Sequence, residues 1–167
     1  MSGFRVFLLV LGVMLAGCTL KQDKPPANLE FSKIERVGET VLYDLYFSSD
    51  INILGPYKSL VGVRFICALG DDFNFEVGHR MKWFVNGSVS RNRAGSDLDF
   101  ISRLTFSESD ANGSSETDLT PVEIKRILQY KAEIPCKFMA SVTMMDTYFS
   151  NVMYVPVVEI LQAVSDR

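Results

Sequence analysis

The sequence has few of the residues on which common catalytic and metal sites depend. Its 167 residues include one histidine, His79, together with three cysteines and one tryptophan. A Ser-His-Asp triad would have to use His79, and no Gly-x-Ser-x-Gly segment accompanies it. A zinc site would need histidine or cysteine ligands at a spacing that the sequence does not offer. We therefore predict a protein that is not an enzyme, without a cofactor or metal ion, in which His79 is an ordinary loop or strand-end residue.

Positive charge is also scarce. Seventeen Lys and Arg residues stand against twenty Asp and Glu residues, which gives a formal net charge of −3 at pH 7. Because no basic surplus is present to neutralise a phosphate backbone, we do not expect nucleic acid as a partner. Arg91 and Arg93, with Arg80 and Lys82, form only a modest basic patch, which we interpret as a solvated loop.

An apolar run near the N-terminus indicates a targeting segment. Arg5 is followed by an unbroken apolar stretch, Val6 to Leu15, and the next charged residue is Lys21. The run is shorter than the roughly 20 residues that a membrane-spanning helix needs, and it has the length of a secretory signal. We therefore predict that residues 1–17 form a signal peptide.

The end of this segment carries a specific motif. Leu15-Ala16-Gly17-Cys18 resembles, at all four positions, the lipobox of bacterial lipoproteins. The resemblance implies cleavage before Cys18 and acyl chains on its sulfur and on the new amino terminus, which would anchor the protein in a membrane. In enteric-type bacteria, a residue such as Thr19 after the cysteine implies the outer membrane, with the domain facing the periplasm. The alternative is an ordinary cleaved leader in which Cys18 is incidental.

The rest of the chain reads as a tether and one domain. Residues 18–28 are polar and contain Pro25-Pro26, which predicts an extended tether. From Leu29 onward the dominant pattern alternates apolar and polar residues, which is typical of β-strands. Residues 29–167 are therefore predicted to form a single domain. Strands are predicted at 40–48, 61–69, 73–77, 80–89, 98–107, 133–143 and 148–161.

One short helix is predicted over residues 120–130. Thr120 and Glu123 have the spacing of a capping box, and Pro121 occupies the first helical position. Several short strands and a single helix favour a mainly β domain, specifically a two-sheet antiparallel β-sandwich.

The remaining two cysteines are predicted to pair. Cys67 and Cys136 both lie on the apolar face of their strands, in a compartment that permits disulfides. With Trp83 between them, the arrangement resembles the pin of immunoglobulin-like sandwiches, which implies a bridge between two sheets. The tyrosine that such domains place two residues before the second cysteine is absent, since Ile134 stands there. Two free, buried thiols are the alternative.

An acidic loop is the candidate binding site. Residues 110–118 contain Asp110, Glu116 and Asp118, which we predict to bind a partner protein; the spacing does not match a calcium loop. The sequence thus favours a lipid-anchored, protein-binding module of the bacterial envelope. Two roles are open: an accessory lipoprotein of an envelope or secretion machine, or an immunity-type inhibitor of a toxin that acts in the periplasm. A carrier of a small apolar ligand is the alternative function.

Overall fold

The computed structural model describes residues 25–55, 62–110, 112–141 and 146–165. The predicted signal peptide, Cys18 and the first part of the tether lie outside the described residues. Nine strands and two helices follow one another in the described part. The strands are β1 (Leu29–Arg36), β2 (Tyr43–Ser49), β3 (Gly62–Ala68), β4 (Trp83–Arg91), β5 (Asp99–Ser109), β6 (Glu116–Asp118), β7 (Glu133–Ser141), β8 (Tyr148–Phe149) and β9 (Met153–Pro156). The helices are α1 (Pro121–Leu128) and α2 (Val157–Ser165).

The strands form one antiparallel sheet that curls into a half-barrel. Its order is β1-β2-β5-β4-β3-β7-β8, with β6 added to β5 and β9 added to β7. Strand accounts for 46% of the described residues and helix for 13%, which confirms the mainly β class.

The predicted separation into two sheets, and with it the immunoglobulin-like arrangement, is not confirmed. The reason lies in β5, which at eleven residues pairs with β4 along nine positions and with β2 and β6 along its other edge. A strand that pairs on both edges joins the first and second halves of the sheet without a break.

The concave face of the sheet, here called the core face, is packed with aromatic rings. Phe47 lies with its ring centroid 5.1 Å from that of Phe65 and 5.6 Å from that of Phe100, and all three side chains are buried. Ile124 and Leu128 of α1 belong to the same buried cluster, as do four residues of α2. Helices therefore supply the apolar surface against the core face that a second sheet was predicted to supply.

Helix α1 begins as the sequence predicts. The Thr120 hydroxyl accepts a hydrogen bond from the Glu123 backbone N–H at 3.4 Å, and the Glu123 carboxylate accepts one from the Thr120 N–H at 2.8 Å. These bonds satisfy backbone donors at the start of the helix. The hydrogen bonds from Thr120 also lower the pKa of Glu123.

Two strand predictions are wrong. Residues 73–77 form no strand, and the predicted strand 148–161 breaks into the short strands β8 and β9 and helix α2. Within α2, Val157, Ile160 and Val164 are buried at helical spacing. The prediction of a single helix is corrected to two.

The cysteine pair lies within the sheet. Cys67 and Cys136 are direct partners on the neighbouring strands β3 and β7, with Sγ atoms 2.04 Å apart and Cα atoms 4.0 Å apart. The expected bridge between two sheets is therefore wrong, because both cysteines belong to adjacent strands of one sheet.

The start of the described chain is held against one end of the sheet. The Tyr148 hydroxyl accepts a hydrogen bond from the Ala27 N–H at 2.7 Å and donates one to the Pro25 carbonyl oxygen at 3.1 Å. The Asp50 carboxylate accepts bonds from the backbone and side chain of Asn28, at 2.8 and 2.7 Å. We call this end of the sheet the tether end.

The opposite end of the sheet lies one strand length away. Leu29 at the start of β1 pairs with Ser49, and the neighbouring Ser48 pairs with Asp99 at the start of β5. The end of β5 pairs with the start of β4, where Trp83 lies opposite Glu108. This second end is called the cleft end, for the feature described next.

Candidate functional site

A solvent-open cleft of about 450 Å³ extends from the cleft end of the sheet to Arg64 of β3 and Met139 of β7, which pairs with Phe149 beside Tyr148. It lies on the face opposite the core face, which we call the outer face. Successive side chains of a strand point to opposite faces, and the sheet residues of the cleft are those that point away from the core. Its walls come from two loops that meet at this end: residues 69–82, and a second loop of which Asp110 and residues 112–115 are described. The lining includes Arg64 and Ile66 of β3, Phe84 of β4, Met139 of β7, Arg80 and Met81 of the first loop, and Glu116 of β6.

The floor of the cleft contains an apolar cluster. Met81 and Phe84 are buried together with Ala68 in a small cluster separate from the main core, and Ile66 and Phe75 pack against it. The loop 69–82 thus covers part of the outer face, and apolar side chains remain at the base of an open cleft.

Hydrogen bonds hold the loop 69–82 in place. The Lys131 ammonium donates to the Gly70 carbonyl oxygen at 2.9 Å and to the Asp71 carboxylate at 2.6 Å. His79 Nε2 lies 2.6 Å from Asp72 Oδ2, and this hydrogen bond lowers the pKa of Asp72. His79 lines the cleft, and its ring is engaged with Asp72 within its own loop.

Asp110 holds the described part of the second loop. Its carboxylate accepts hydrogen bonds from the Ser114 N–H and hydroxyl, each at 2.7 Å, and from the Ser115 hydroxyl at 3.1 Å. These bonds, the Ser114 hydroxyl first among them, lower the pKa of Asp110 to about 2. Gly113 has a φ of 65°, and a Cβ atom there would collide with the Arg80 guanidinium. Glycine therefore lets the two loops approach each other.

The three predicted partner-binding residues are placed differently. Glu116 and Asp118 are exposed on β6, where they pair with Ser109 and Ser107 and share the outer face. Glu116 lines the cleft. The Asp110 carboxylate is directed into its own loop. The structure thus brings Glu116 and Asp118 together beside the cleft, and the binding role of all three residues stays a prediction.

Two arginines of the cleft do not enter the predicted site. Arg64 and Arg80 are exposed, and neither makes an ion pair with any residue that the structure describes. Arg80 is part of the basic patch predicted from sequence, but Arg91 lies at the tether end, opposite Phe100. The predicted patch is therefore divided between two ends of the sheet. Alternation in β3 places Arg64 on the outer face, yet the sequence gives no sign that it shares a cleft with Arg80.

The described part of the chain contains neither a metal cluster nor a membrane-spanning helix. Among the described residues, no three His, Cys, Asp or Glu side chains are grouped so that they could hold a metal ion. No helix in the described ranges has the length and apolar character needed to cross a membrane.

No protein-family model, curated protein or solved structure matches this chain.

Proposed function

We propose that this protein is a lipid-anchored module of the bacterial envelope that binds another protein through the cleft end of its sheet. The observation that carries the proposal is the cleft itself. It combines apolar side chains with charged residues of both signs, Arg64, Arg80 and Glu116, on a surface open to solvent. Surfaces that bind proteins typically combine an apolar centre with a polar rim.

The position of the cleft supports this proposal. The tether joins the domain at the tether end, and β5 spans the distance to the cleft end with eleven residues. At about 3.4 Å per residue, β5 is about 35 Å long. A lipid on Cys18 would therefore fix the tether end near the membrane and leave the cleft available to a partner in the periplasm. The outer membrane, implied by Thr19, is the proposed location.

The core argues against the alternative function, a carrier of a small apolar ligand. Such a carrier would hold its ligand against the core face. That face is filled by Phe47, Phe65 and Phe100, each with no more than 2% of its surface exposed, and by residues from both helices. A protein partner at the cleft end requires no rearrangement of this packing.

Both partner roles predicted from the sequence are compatible with the cleft. An accessory lipoprotein would bind a component of an envelope or secretion machine, and an immunity-type inhibitor would bind a toxin. In either role the acidic Glu116 and Asp118 would contribute at the rim, where charges mainly set the encounter rate and the specificity.

Site-specific photo-cross-linking in intact cells tests the contact surface. A photoreactive residue at Ser115, which lines the cleft, is compared with one at Ser96, which is exposed in the loop at the tether end. The full chain is used, with its leader. We expect a discrete adduct from position 115 and none from position 96. Equal adducts from both positions, or none from position 115, would refute the proposed contact surface.

Metabolic labelling tests the anchor. A palmitate analogue should label the wild type and not Cys18→Ser, because the cysteine sulfur is the acylated atom. Equal labelling of the variant would show that the lipobox resemblance is misleading.

A further inference from the structure

We infer that the cleft binds an acidic peptide segment of the partner, one that alternates carboxylate and apolar side chains. This inference rests on the proposed function, because it specifies the chemistry of the partner that the cleft end contacts. The charge of this ligand is opposite to the one that the carboxylates of Asp110, Glu116 and Asp118 would attract.

Unpaired cations provide the first argument. Arg91 is paired with Asp97 at 3.2 Å, and Arg103 with Asp44 at 2.9 Å. Arg64 and Arg80 have no such carboxylate among the described residues, although acidic residues outnumber basic ones in the chain. A planar guanidinium with its donors free can bind a carboxylate through two parallel hydrogen bonds.

The position of a third cation, Lys137, also favours an acidic ligand. Lys137 pairs with Ile66 across β3 and β7 and thus shares the outer face with Arg64. Its ammonium lies 5.6 Å from the ring of Phe75 and 5.7 Å from that of Phe149, without an ion pair to a described residue. Positive charge therefore flanks the apolar floor on the sheet as well as on the loop.

The floor determines which acidic ligand fits. Ile66, Phe84 and Met139 line the same cleft as the charged groups and offer apolar contact, which a small inorganic anion cannot use. An extended peptide places alternate side chains on opposite sides, so it can direct apolar side chains to the floor and hold carboxylates near the arginines.

Glu116 provides a test of whether the bound peptide is acidic or basic. Its carboxylate lines the same cleft, so it repels an acidic peptide and attracts a basic one. Glu116→Gln should therefore strengthen the binding of an acidic peptide, and it should weaken the binding of a basic peptide.

Fluorescence polarisation with defined peptides measures these effects. The probes are two short labelled peptides, one alternating Asp and Leu and the other alternating Lys and Leu, with the full chain in detergent. Arg64→Gln and Arg80→Gln should each weaken binding of the acidic peptide about two- to fivefold, the range for exposed charge pairs, and the double variant about tenfold. Arg93→Gln is the matched control, since Arg93 is exposed and unpaired among the described residues but lies at the tether end. It should leave the affinity unchanged, and unaltered thermal unfolding should show that each variant is folded.

Several outcomes would overturn the inference. They are the absence of saturable binding of the acidic peptide up to about 1 mM, tighter binding of the basic peptide, or equal effects of Arg64→Gln and Arg93→Gln. Binding of glycerol phosphate without binding of the peptide would assign the cleft to headgroup chemistry instead. A photo-adduct at position 115 that survives Arg64→Gln and Arg80→Gln would preserve the proposed function and remove the acidic partner. If no adduct forms at position 115 when both arginines are present, the proposed function itself is refuted.

Discussion

The Tyr148 hydroxyl joins the start of the domain to the far edge of the sheet, and its removal should measurably destabilise the protein. Tyr148→Phe keeps the ring, whose centroid lies 6.2 Å from that of Phe138, and removes only the oxygen. The Ala27 N–H then loses its acceptor at 2.7 Å, and Ala27 is fully buried. The Pro25 carbonyl belongs to an exposed residue and can bond to water instead.

The expected loss of stability follows from the backbone N–H of Ala27, which is left without an acceptor. A buried N–H without an acceptor costs about 1–3 kcal/mol, and in a domain of this size that corresponds to a fall in Tm of about 3–10 °C. Urea unfolding followed by far-ultraviolet circular dichroism measures the change. Tyr154→Phe is the control, because Tyr154 is 54% exposed and no hydrogen bond of its hydroxyl is found in the described residues. If the two variants unfold at the same urea concentration, the hydroxyl does not hold the start of the domain.

Two further predictions concern covalent and acid–base chemistry. Peptide mapping without reductant should recover Cys67 linked to Cys136, and replacing both by Ala should lower the free energy of unfolding by about 2–4 kcal/mol, as expected for a bridge that closes a loop of this length; complete alkylation of both thiols in the unreduced protein would contradict this. The Asp110 carboxyl should titrate with a pKa of about 2 in a pH series of carbon NMR spectra. Because this pKa is lowered on folding, its stabilising contribution is present above the ordinary pKa of about 3.8 and is lost as the pH falls towards 2. A pKa at or above the ordinary value, or one unchanged in Ser114→Ala, would show that the loop hydrogen bonds do not form.

The alternation of apolar and polar residues in β3 and β7 was sufficient to predict two strands, each with a cysteine that points into the core. It was insufficient for β1, which the strand predictions omit, because the register shifts between Phe31 and Lys33 and the regular pattern is interrupted there. It was misleading for α2, because a short apolar run rich in β-branched residues fits a strand as well as a helix. The burial of Val157 and Ile160 in the core decides in favour of the helix.

The cleft was less predictable than the strands. Its floor and walls come from residues as far apart as Arg64 and Met139, and it forms only because β3 pairs with β7 and two loops fold over the same face. No local pattern encodes such contacts. The acidic residues stood out in the sequence because they are close together, whereas the two arginines of the cleft are separated by fifteen residues of sequence between positions 64 and 80.

The bond between Cys67 and Cys136 determines what happens to the protein when a protease cuts an exposed loop. The exposed loops 92–98 and 112–115 both lie between the two cysteines in the sequence. A single cut in either loop leaves the two fragments covalently joined across adjacent strands. A nicked molecule would keep its C-terminal strands and α2 attached to the N-terminal fragment, and it would migrate as separate fragments only after reduction. The cross-strand bridge thus holds the two parts of the domain together even when an exposed loop has been cleaved.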